Sequence, residues 1–577
     1  MTQVSYFDVT LFETSNLGDQ KMANLSKLRR EKMLEFLQTL KEEHNDDASI
    51  IALNAIETAL TDKKYGLVWE KHSEQVDDDL KTMIPVFSEV KERQVSNGEG
   101  NYNFLLEGDN LHSLYLLEKT HKEKIDVIYI DPPYNTGSRS WKYNNDYVEK
   151  EDNFRHSKFA SFMTERLVSS KKLLSDNGII ICAIDDHEIA TIRLIMDEIF
   201  GEDNRLGTVV VVHNPRGRND STFIATMHEY LLFYAKKSSD ASIGYFPIQE
   251  KHLKQYNKSD DISRYNETSF IRTGNNSLRT ERPGLWYKIF YNLGKDNLSL
   301  TNENEDDVTL LPINSKGEER CWRWGPETFE QFKDTELFVK IVKGEYKIFK
   351  KRRLTDAIGR KPRTVWTDSR YDASSNGIML LKKLFDGENP FPYPKSLYSV
   401  SDAISITSKQ DSIILDFFAG SGTTGHAVLK LNAEDGGSRK FILCTDNENN
   451  ICEEVTYERL LRIQPDLPHN LKYFKTDYIP RFTVESAGDA LIPHIRELVE
   501  LENGISLSDP RFALILSEDE MDAFFDQNRY KACEMIYLSS DVLVTKEQEQ
   551  TFHDLSIEIK SIPHYYFAEE LKQAGEL

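Results

Sequence analysis

Four consecutive residues, Asp131-Pro132-Pro133-Tyr134, have the side chains needed to hold and activate a conjugated amine. The lone pair of such an amine is delocalised into its ring, so the nitrogen is a poor nucleophile. The Asp131 carboxylate and the Pro132 carbonyl can both accept its N–H groups, which aims the lone pair at an electrophile. The prolines fix φ near about −65° and hold the carbonyl rigidly, while the Tyr134 ring offers a face for stacking. The alternative is a Pro-Pro turn with an ordinary aspartate.

A second run, Asp416 to Gly425, predicts a strand that feeds a glycine-rich turn at the start of a helix. Gly420 and Gly422 allow the backbone to approach a ligand closely, and the helix N-terminus favours an anion such as a phosphate or a carboxylate. A Walker phosphate loop is excluded, because no Gly-Lys-Ser/Thr follows. Asp446 and Glu448, after the next strand, can each accept hydrogen bonds from a ribose, and the sequence leaves both open.

The elements around these runs predict a doubly wound α/β core. Ile125 to Ile130 and Ile179 to Ile184 have the length of buried strands, and amphipathic helical patterns alternate with them. Such alternation favours a largely parallel sheet with helices on both faces. Residues 20–95 are predicted to be helical, and the polar, acidic stretch 76–100 is interpreted as a surface connection. Residues near 240–390 lose the alternation and predict an inserted α+β domain.

The distribution of charge predicts local rather than general binding of anions. The formal net charge of −23 argues against nonspecific coating of nucleic acid, although binding depends on local charge. Between Lys343 and Arg370, ten basic and three acidic residues give a local net charge of +7. The alternative interpretation of this run is a solvated face. For the basic loop from His213 to Asn219, phosphate contact and an ordinary surface loop are equally good interpretations.

Composition also limits the class of protein. The five cysteines are scattered without a CxxC, which indicates reduced buried thiols rather than a metal or disulfide framework. No run approaches the roughly 20 apolar residues of a membrane span. The N-terminal residues lack the basic and apolar regions of a signal peptide. We therefore expect a cytoplasmic protein that makes no membrane contact.

Taken together, the two runs resemble the β class of DNA amino-methyltransferases, in which the catalytic tetrapeptide precedes the recognition domain and the cofactor run follows it. More narrowly, the chain is similar to the modification subunits of type III restriction–modification systems. The similarity rests on Glu107 to Leu111, Tyr129 to Gly137, Trp322-Arg323-Trp324, Pro392 to Leu397, and Asp416 to Val428 with Leu431-Asn432. His228-Glu229-Tyr230 also resembles a family segment, but we interpret it as structural hydrogen bonding.

The resemblance implies a permuted, S-adenosylmethionine-dependent methyltransferase core that acts on an extruded base of duplex DNA. An aspartate at the first tetrapeptide position, instead of serine, favours N6 of adenine over N4 of cytosine. The implied domains are an N-terminal helical arm (1–100), a catalytic half (101–240), a target recognition domain (241–390), a cofactor half (391–475) and a C-terminal accessory domain (476–577).

The site residues follow from the same resemblance. The implied catalytic residues are Asp131, Pro132, Pro133 and Tyr134. The implied cofactor residues are Asp109, Asn110, Lys395, Asp416, Phe418, Ala419, Gly420, Ser421, Gly422, Thr423, Thr424 and Asp446. The candidate DNA contacts are Arg216, Arg218, Lys350, Lys351, Arg352, Arg353, Lys361 and Arg363. No metal is needed for the transfer.

The implied partners are double-stranded DNA, a second copy of the chain in a homodimer, and an ATP-dependent restriction subunit. Three alternatives stay open. The chain can be a methyltransferase without a nuclease partner, an N4-cytosine enzyme, or a DNA-recognition platform whose catalysis is secondary. The complete catalytic and cofactor runs argue against the platform.

Overall fold

The computed structural model describes residues 25–44, 46–61, 72, 74–98, 100–143, 146–149, 152, 154–217, 223–248, 253–356, 359–481, 487–562 and 566–574. The helices are α1 (Leu25–Glu43), α2 (Asp47–Thr61), α3 (Gln75–Thr82), α4 (Asn110–Thr120), α5 (Arg155–Leu173), α6 (Ile189–Phe200), α7 (Pro326–Glu336), α8 (Met379–Leu384), α9 (Leu397–Ser405), α10 (Thr423–Asp435), α11 (Glu458–Ile463), α12 (Ala487–Leu491), α13 (Ile495–Asn503), α14 (Glu518–Asp526), α15 (Lys546–Asp554) and α16 (Ala568–Ala574). The strands are β1 (Met83–Glu89), β2 (Tyr102–Glu107), β3 (Ile125–Ile130), β4 (Ser138–Tyr143), β5 (Asp146–Glu149), β6 (Leu174–Ile184), β7 (Arg205–Val212), β8 (His228–Ala235), β9 (Lys258–Ser259), β10 (Arg264–Ser269), β11 (Ile289–Asn292), β12 (Asn297–Ser299), β13 (Val308–Leu310), β14 (Leu337–Val342), β15 (Glu345–Arg353), β16 (Val365–Trp366), β17 (Ile413–Asp416), β18 (Lys440–Thr445), β19 (Asn470–Pro480), β20 (Phe512–Ile515), β21 (Met535–Leu538) and β22 (Glu558–Ser561).

Ten strands form a central sheet in the order β1-β19-β2-β18-β17-β3-β6-β8-β7-β16. The six strands from β19 to β6 run parallel, whereas β1 and β8 pair antiparallel with their neighbours. Every residue of β2 is buried, as expected for a parallel strand covered on both faces. The predicted α/β core is therefore confirmed, with antiparallel strands added at both sides.

One sequence prediction fails at the start of the core. Met83–Glu89, predicted to be helical and partly a surface connection, forms β1 and pairs antiparallel with β19. Val86 and Phe87 are fully buried. The polar residues on either side of this short strand conceal its apolar centre, and its partner strand lies almost 400 positions later in the chain.

Residues 258–353 carry two small antiparallel sheets, β14-β15-β10-β9 and β12-β11-β13, together with α7. Phe270 stacks on Trp322 with ring centroids 5.3 Å apart, at the centre of a separate apolar cluster. This is the α+β character predicted for the insert.

The insert leaves and re-enters the core at one point, which we call the neck. Phe246 and Arg360 exchange two backbone hydrogen bonds, each 2.9 Å long. Gly359 has a φ of +106°, and a Cβ there would lie 2.5 Å from the Phe246 carbonyl oxygen. The neck therefore requires glycine at this position.

The C-terminal residues add a three-stranded parallel sheet, β20-β21-β22, with α14 and α15. Helix α13 is tied to the central sheet by Lys472, which is 0% exposed. Its ammonium lies 2.7 Å from Glu89 and 2.6 Å from Glu500. The five-part division of the chain stays a prediction. Within the described residues, every helix is too short or too polar to cross a membrane.

Residues 1–70 form a separate N-terminal unit that contains α1 and α2. Lys41 of α1 donates hydrogen bonds to Asn54 and Glu57 of α2, at 2.7 and 2.6 Å. Among the described residues of this unit, Leu37 and Leu53 are the buried apolar ones.

Candidate active site

Two neighbouring strands bring the tetrapeptide and the glycine-rich run to the same edge of the sheet. Strands β3 and β17 pair in parallel, with Leu415 opposite Ile128. Asp131 follows β3 directly and Asp416 ends β17, so the carboxyl ends of both strands place the two aspartates side by side. Both line one cleft with about 370 Å³ of empty volume that opens to solvent.

The loop after the tetrapeptide is anchored by Asn135, which is 0% exposed and has a φ of +53°. Its amide donates to the Glu188 carboxylate and to the Arg155 carbonyl. Asn tolerates this left-handed backbone better than most residues. The anchor fixes the direction in which the chain leaves Tyr134.

A cluster of charged and hydroxyl groups surrounds the Asp131 carboxylate. Lys395 Nζ lies 3.1 Å from Asp131 Oδ1 and 2.6 Å from Glu229 Oε2, and it also donates to the Tyr134 hydroxyl. The Tyr134 hydroxyl donates to the same Glu229 oxygen at 3.1 Å. Asp131 Oδ1 is buried against Lys395, whereas the Asp131 side chain as a whole is 27% exposed. The Asp131 carboxylate therefore keeps some exposed surface at the cleft, where a ligand can reach it.

The environment of this cluster shifts its pKa values in different directions. Burial raises the pKa of Asp131, although Lys395 opposes the rise. Burial also acts to raise the pKa of Glu229, but the charges of Lys395 and His213 outweigh it and lower that pKa. Burial acts to lower the pKa of Lys395, and the two carboxylates raise it well above its usual range. The stable arrangement is therefore a lysine ammonium between two carboxylates, with Asp131 the more easily protonated of the two.

The glycine-rich turn has a backbone that only glycine adopts readily. Gly420 and Gly422 have φ values of +49° and +72°. A Cβ on Gly420 would lie 3.4 Å from the Phe391 ring, which lines the cleft, and one on Gly422 would lie 3.2 Å from Thr456. Side chains at these positions would narrow the cleft or displace its wall.

Asp416 holds the turn from beneath. Its carboxylate accepts hydrogen bonds from the Phe418 amide at 2.9 Å and from the Thr424 hydroxyl at 2.5 Å. Burial raises the pKa of Asp416 to about 7, despite these two donors. Asp416 therefore both shapes the turn and lines the cleft.

The predicted cofactor residues divide into three groups by position. Those that line the cleft are Lys395, Asp416, Phe418, Ala419, Gly420, Ser421, Thr423 and Thr424, and Gly422 lies within the same turn. Asp109 and Asn110 stand behind it: Asp109 caps α4, and Asn110 donates to the Phe417 carbonyl at 2.9 Å. Asp446 is exposed after β18 and accepts a hydrogen bond from the Glu448 amide at 3.0 Å. A choice between Asp446 and Glu448 for a ribose stays a prediction.

These residues fit the cofactor that the resemblance implies. The cleft combines a glycine turn with positive φ values, a helix N-terminus, exposed aromatic surface on Tyr393 and the partly exposed carboxylate of Asp131. Carboxylates at the cleft suit the positive charge of a sulfonium. The glycine turn would hold the methionine part, with Asp131 at the reacting end.

The predicted DNA contacts fall on two surfaces. Arg216, Lys361 and Arg363 are exposed, and Arg216 lies in the loop after β7 at the catalytic edge of the sheet. Arg218 lies outside the described residues. In β15, Arg352 is exposed and Lys350 Nζ lies 4.5 Å from the centroid of the Trp324 ring.

Strand alternation separates the β15 residues into two sets. Lys351 and Arg353 both bind Asp260, and Arg353, which is 3% exposed, also binds Glu336. Arg353 therefore stabilises the insert, and its prediction as a DNA contact is withdrawn.

The opposite face of β15 concentrates positive charge. Burial lowers the pKa of Arg323, and the nearby guanidinium groups of Arg272 and Arg352 lower it further. We call Arg272, Arg323, Lys350 and Arg352 the basic face.

Glu229 belongs to this cluster, although the sequence analysis did not include it among the site residues. It enters the cluster because β8 pairs antiparallel with β6, which places Tyr230 opposite Ile184 at the catalytic edge. The resemblance of His228-Glu229-Tyr230 to a family segment was a signal for it. Glu229 accepts hydrogen bonds from Lys395 and Tyr134, so the hydrogen bonding expected of this segment joins two residues of the predicted site.

Comparison with known proteins agrees with this geometry. Residues 125–457 match a family model for N6 and N4 methyltransferases, described as DNA methylase. The type II methyltransferase M.KpnI of Klebsiella pneumoniae is 38% identical over 383 residues, covering 65% of this chain and 88% of that protein. The EcoPI Mod subunit, part of a type III restriction-modification enzyme of Escherichia phage P1, is 31% identical over 432 residues, covering 69% of this chain and 66% of that protein. Among solved structures, the M1.HpyAVI–SAM complex is 15% identical with a TM-score of 0.29, covering 62% of this chain and 98% of that chain.

Proposed function

We propose a function for this chain on the premise that it belongs to the DNA methylase family, which depends on S-adenosylmethionine. The chain transfers a methyl group to N6 of adenine at a specific site in duplex DNA, after the base has rotated out of the helix. The observation that carries this function is the Asp131 carboxylate, which is 27% exposed and lines the cleft beside the glycine turn.

In this reaction the chain's own residues position the amine. Asp131 and the Pro132 carbonyl accept its two N–H groups, and the Tyr134 ring stacks on the extruded base. Lys395 holds Asp131 in place and favours its ionised form, while Glu229 holds Lys395. S-adenosylmethionine supplies the electrophilic methyl group. After transfer, Asp131 is the carboxylate placed to take the proton that the amine loses.

Adenine as the target is the finer part of the proposal. Asp131 at the first tetrapeptide position supports it, since the family's preference associates aspartate with N6 of adenine. The alternative is N4 of cytosine, which presents the same kind of conjugated amine to the same acceptors.

The decisive experiment sequences single DNA molecules from a host without methylation, with and without this chain. We expect N6-methyladenine at one short motif, and no modified base with Asp131→Ala. The matched control is Asp176→Ala, which alters an exposed carboxylate on a turn within β6. N4-methylcytosine would overturn the choice of base. No modification by a folded chain that binds the cofactor would favour the recognition platform.

We also propose that the chain is the modification and recognition subunit of a type III system, acting as a homodimer with an ATP-dependent restriction subunit. The similarity to the EcoPI Mod subunit supports this. The similarity to M.KpnI, over 88% of that protein, supports the second candidate, a methyltransferase without a nuclease partner. Co-purification with the product of the adjacent gene, followed by an assay for ATP-dependent DNA cleavage, distinguishes them.

The basic face is the proposed DNA surface of the insert. Its guanidinium groups can contact phosphates or guanine edges. Arg352→Gln should weaken duplex binding and reduce the salt dependence of binding by about one counterion. Arg529→Gln, an exposed arginine of the C-terminal segment, is the control. An unchanged salt dependence with Arg352→Gln would remove this face from the interface.

A further inference from the structure

Arg459 is a buried arginine that lacks a carboxylate partner among the described residues. It lies in α11 and is 1% exposed. Its Nη1 donates to Thr423 Oγ1 at 2.8 Å and to Ser421 Oγ and O at 3.2 and 3.1 Å, and its Nη2 lies 3.3 Å from His426 Nδ1. Its Nε has no hydrogen-bond acceptor within that part of the chain. Burial lowers the pKa of Arg459 to about 9, as expected when a cation is desolvated without a counter-ion.

Arg459 lies behind the wall of the cleft and is bound to residues of that wall. Ser421 and Thr423, which accept its hydrogen bonds, both line the cleft wall. Helix α10 begins at Thr423, and the amides of its first turn have no acceptor within the helix. The positive end of the helix dipole and a buried guanidinium therefore lie on the same wall.

The rest of the cleft offers little to an anion. Of the described residues that line it, Lys395 is the one lysine or arginine, and its ammonium is already bound to Asp131 and Glu229. The sulfonium and ammonium groups of a ligand would lie near the carboxylates of the cleft. The carboxylate of the same ligand would lie near the positive charge behind Ser421 and Thr423.

We propose that Arg459, acting through Ser421 and Thr423 and with the N-terminus of α10, forms the subsite for the carboxylate of the methionine part of S-adenosylmethionine. The inference rests on the family's cofactor. Arg459 is a positioning residue, because the two hydroxyls and the helix amides lie between it and the ligand. The bound carboxylate supplies the negative charge that the described residues do not offer this guanidinium.

Calorimetric titration of the full chain without DNA tests the subsite directly. The probes are S-adenosylhomocysteine and its decarboxylated analogue, which differ only in the carboxylate. Arg459→Met should weaken the binding of S-adenosylhomocysteine by about 10- to 100-fold, the range expected for loss of a charge-assisted contact. The same variant should weaken the binding of the decarboxylated analogue by much less. Arg459→Lys should retain part of the preference. The matched control is Arg439→Met, a buried arginine paired with Asp435 at the other end of α10, which should leave the preference unchanged.

Equal weakening of both probes would overturn the proposal, since Arg459 would then only support the turn. Unchanged affinity for both would overturn it as well. If Arg459→Met does not fold, Thr423→Val carries the same comparison, because it removes the hydroxyl without removing the buried charge. Failure of the wild-type chain to bind either probe would instead refute the cofactor, a result distinct from loss of the subsite.

Discussion

Removing Lys395 or its partner Glu229 should shift the pH dependence of methyl transfer in opposite directions. In the structure one ammonium lies between two carboxylates. Lys395→Gln leaves Asp131 beside Glu229 without a cation, so protonation of Asp131 becomes easier. Glu229→Gln removes the competing carboxylate, so Lys395 stabilises ionised Asp131 more strongly. The acid limb of kcat should therefore move to higher pH in the first variant and to lower pH in the second.

The distances give the size of the effect. Opposite unit charges 3.1 Å apart attract by about 5 kcal/mol at an effective dielectric constant of about 20. Desolvation of both groups offsets much of that attraction. A remaining difference of about 1.4 to 2.7 kcal/mol corresponds to one to two pH units for Lys395→Gln. A smaller downward shift is expected for Glu229→Gln, because Lys395 already lowers the pKa of Asp131 in the wild-type chain.

The assay is single-turnover methylation of a short duplex between about pH 5 and 9, since kcat reports the groups that titrate in the bound complex. Lys124→Gln is the control: Lys124 pairs with Glu502 at the surface, beside the opposite end of β3. His213 also faces Glu229. His213→Gln therefore shows whether the acid limb of the pH–rate curve comes from this histidine or from the carboxylate. Shifts of the same sign in Lys395→Gln and Glu229→Gln would refute the electrostatic coupling.

Three further perturbations test the site and its support. Gly422→Ala places a Cβ 3.2 Å from Thr456 at a φ of +72°. We expect the affinity for the cofactor to fall about tenfold, because the left-handed backbone costs roughly 1–2 kcal/mol with a side chain present. The control is Gly436→Ala, which has a φ of +70° and open space around the new Cβ, and which should lose similar stability but keep the affinity. Asp416→Asn should flatten the pH dependence of the melting temperature. The raised pKa of Asp416, about 7, gives the wild-type chain stability that is fully present below about pH 4 and is lost as the pH rises through 7. Parallel curves of melting temperature against pH for the two proteins would contradict this. Lys472→Met should lower the free energy of unfolding in urea by about 3–5 kcal/mol, because two buried glutamates lose their shared cation; a loss under about 1 kcal/mol would show that the triad is not needed.

The features that could be predicted from the sequence are those that consecutive residues define. Asp131 and Gly420 each follow an apolar run that identifies a buried strand, so their types, order and position at a sheet edge follow from local pattern. Lys395 was expected to border the cofactor, and the structure also places it on the catalytic carboxylate.

Residues that enter the site through long-range pairing carry no such local signal. Glu229 arrives through the antiparallel strand β8, and Arg459 through a helix packed behind the glycine turn. Strand β1 was missed because its pairing with β19 depends on residues near the other end of the chain. In each case the decisive partner is distant in sequence, so periodicity within one segment does not reveal it.

The neck at Phe246 and Arg360 has a consequence for how such a protein can diversify. The insert begins and ends at one pair of backbone hydrogen bonds. It therefore constrains the rest of the chain only through the distance between its two ends. Exchange of the residues between Phe246 and Gly359 for another insert keeps the neck and the residues that line the cleft. Closing a longer or shorter loop there changes the free energy only slowly with length. On the proposed role of the insert in target recognition, the chemistry and the choice of target can evolve at different rates within one gene, and recombination at the neck would transfer a new target preference.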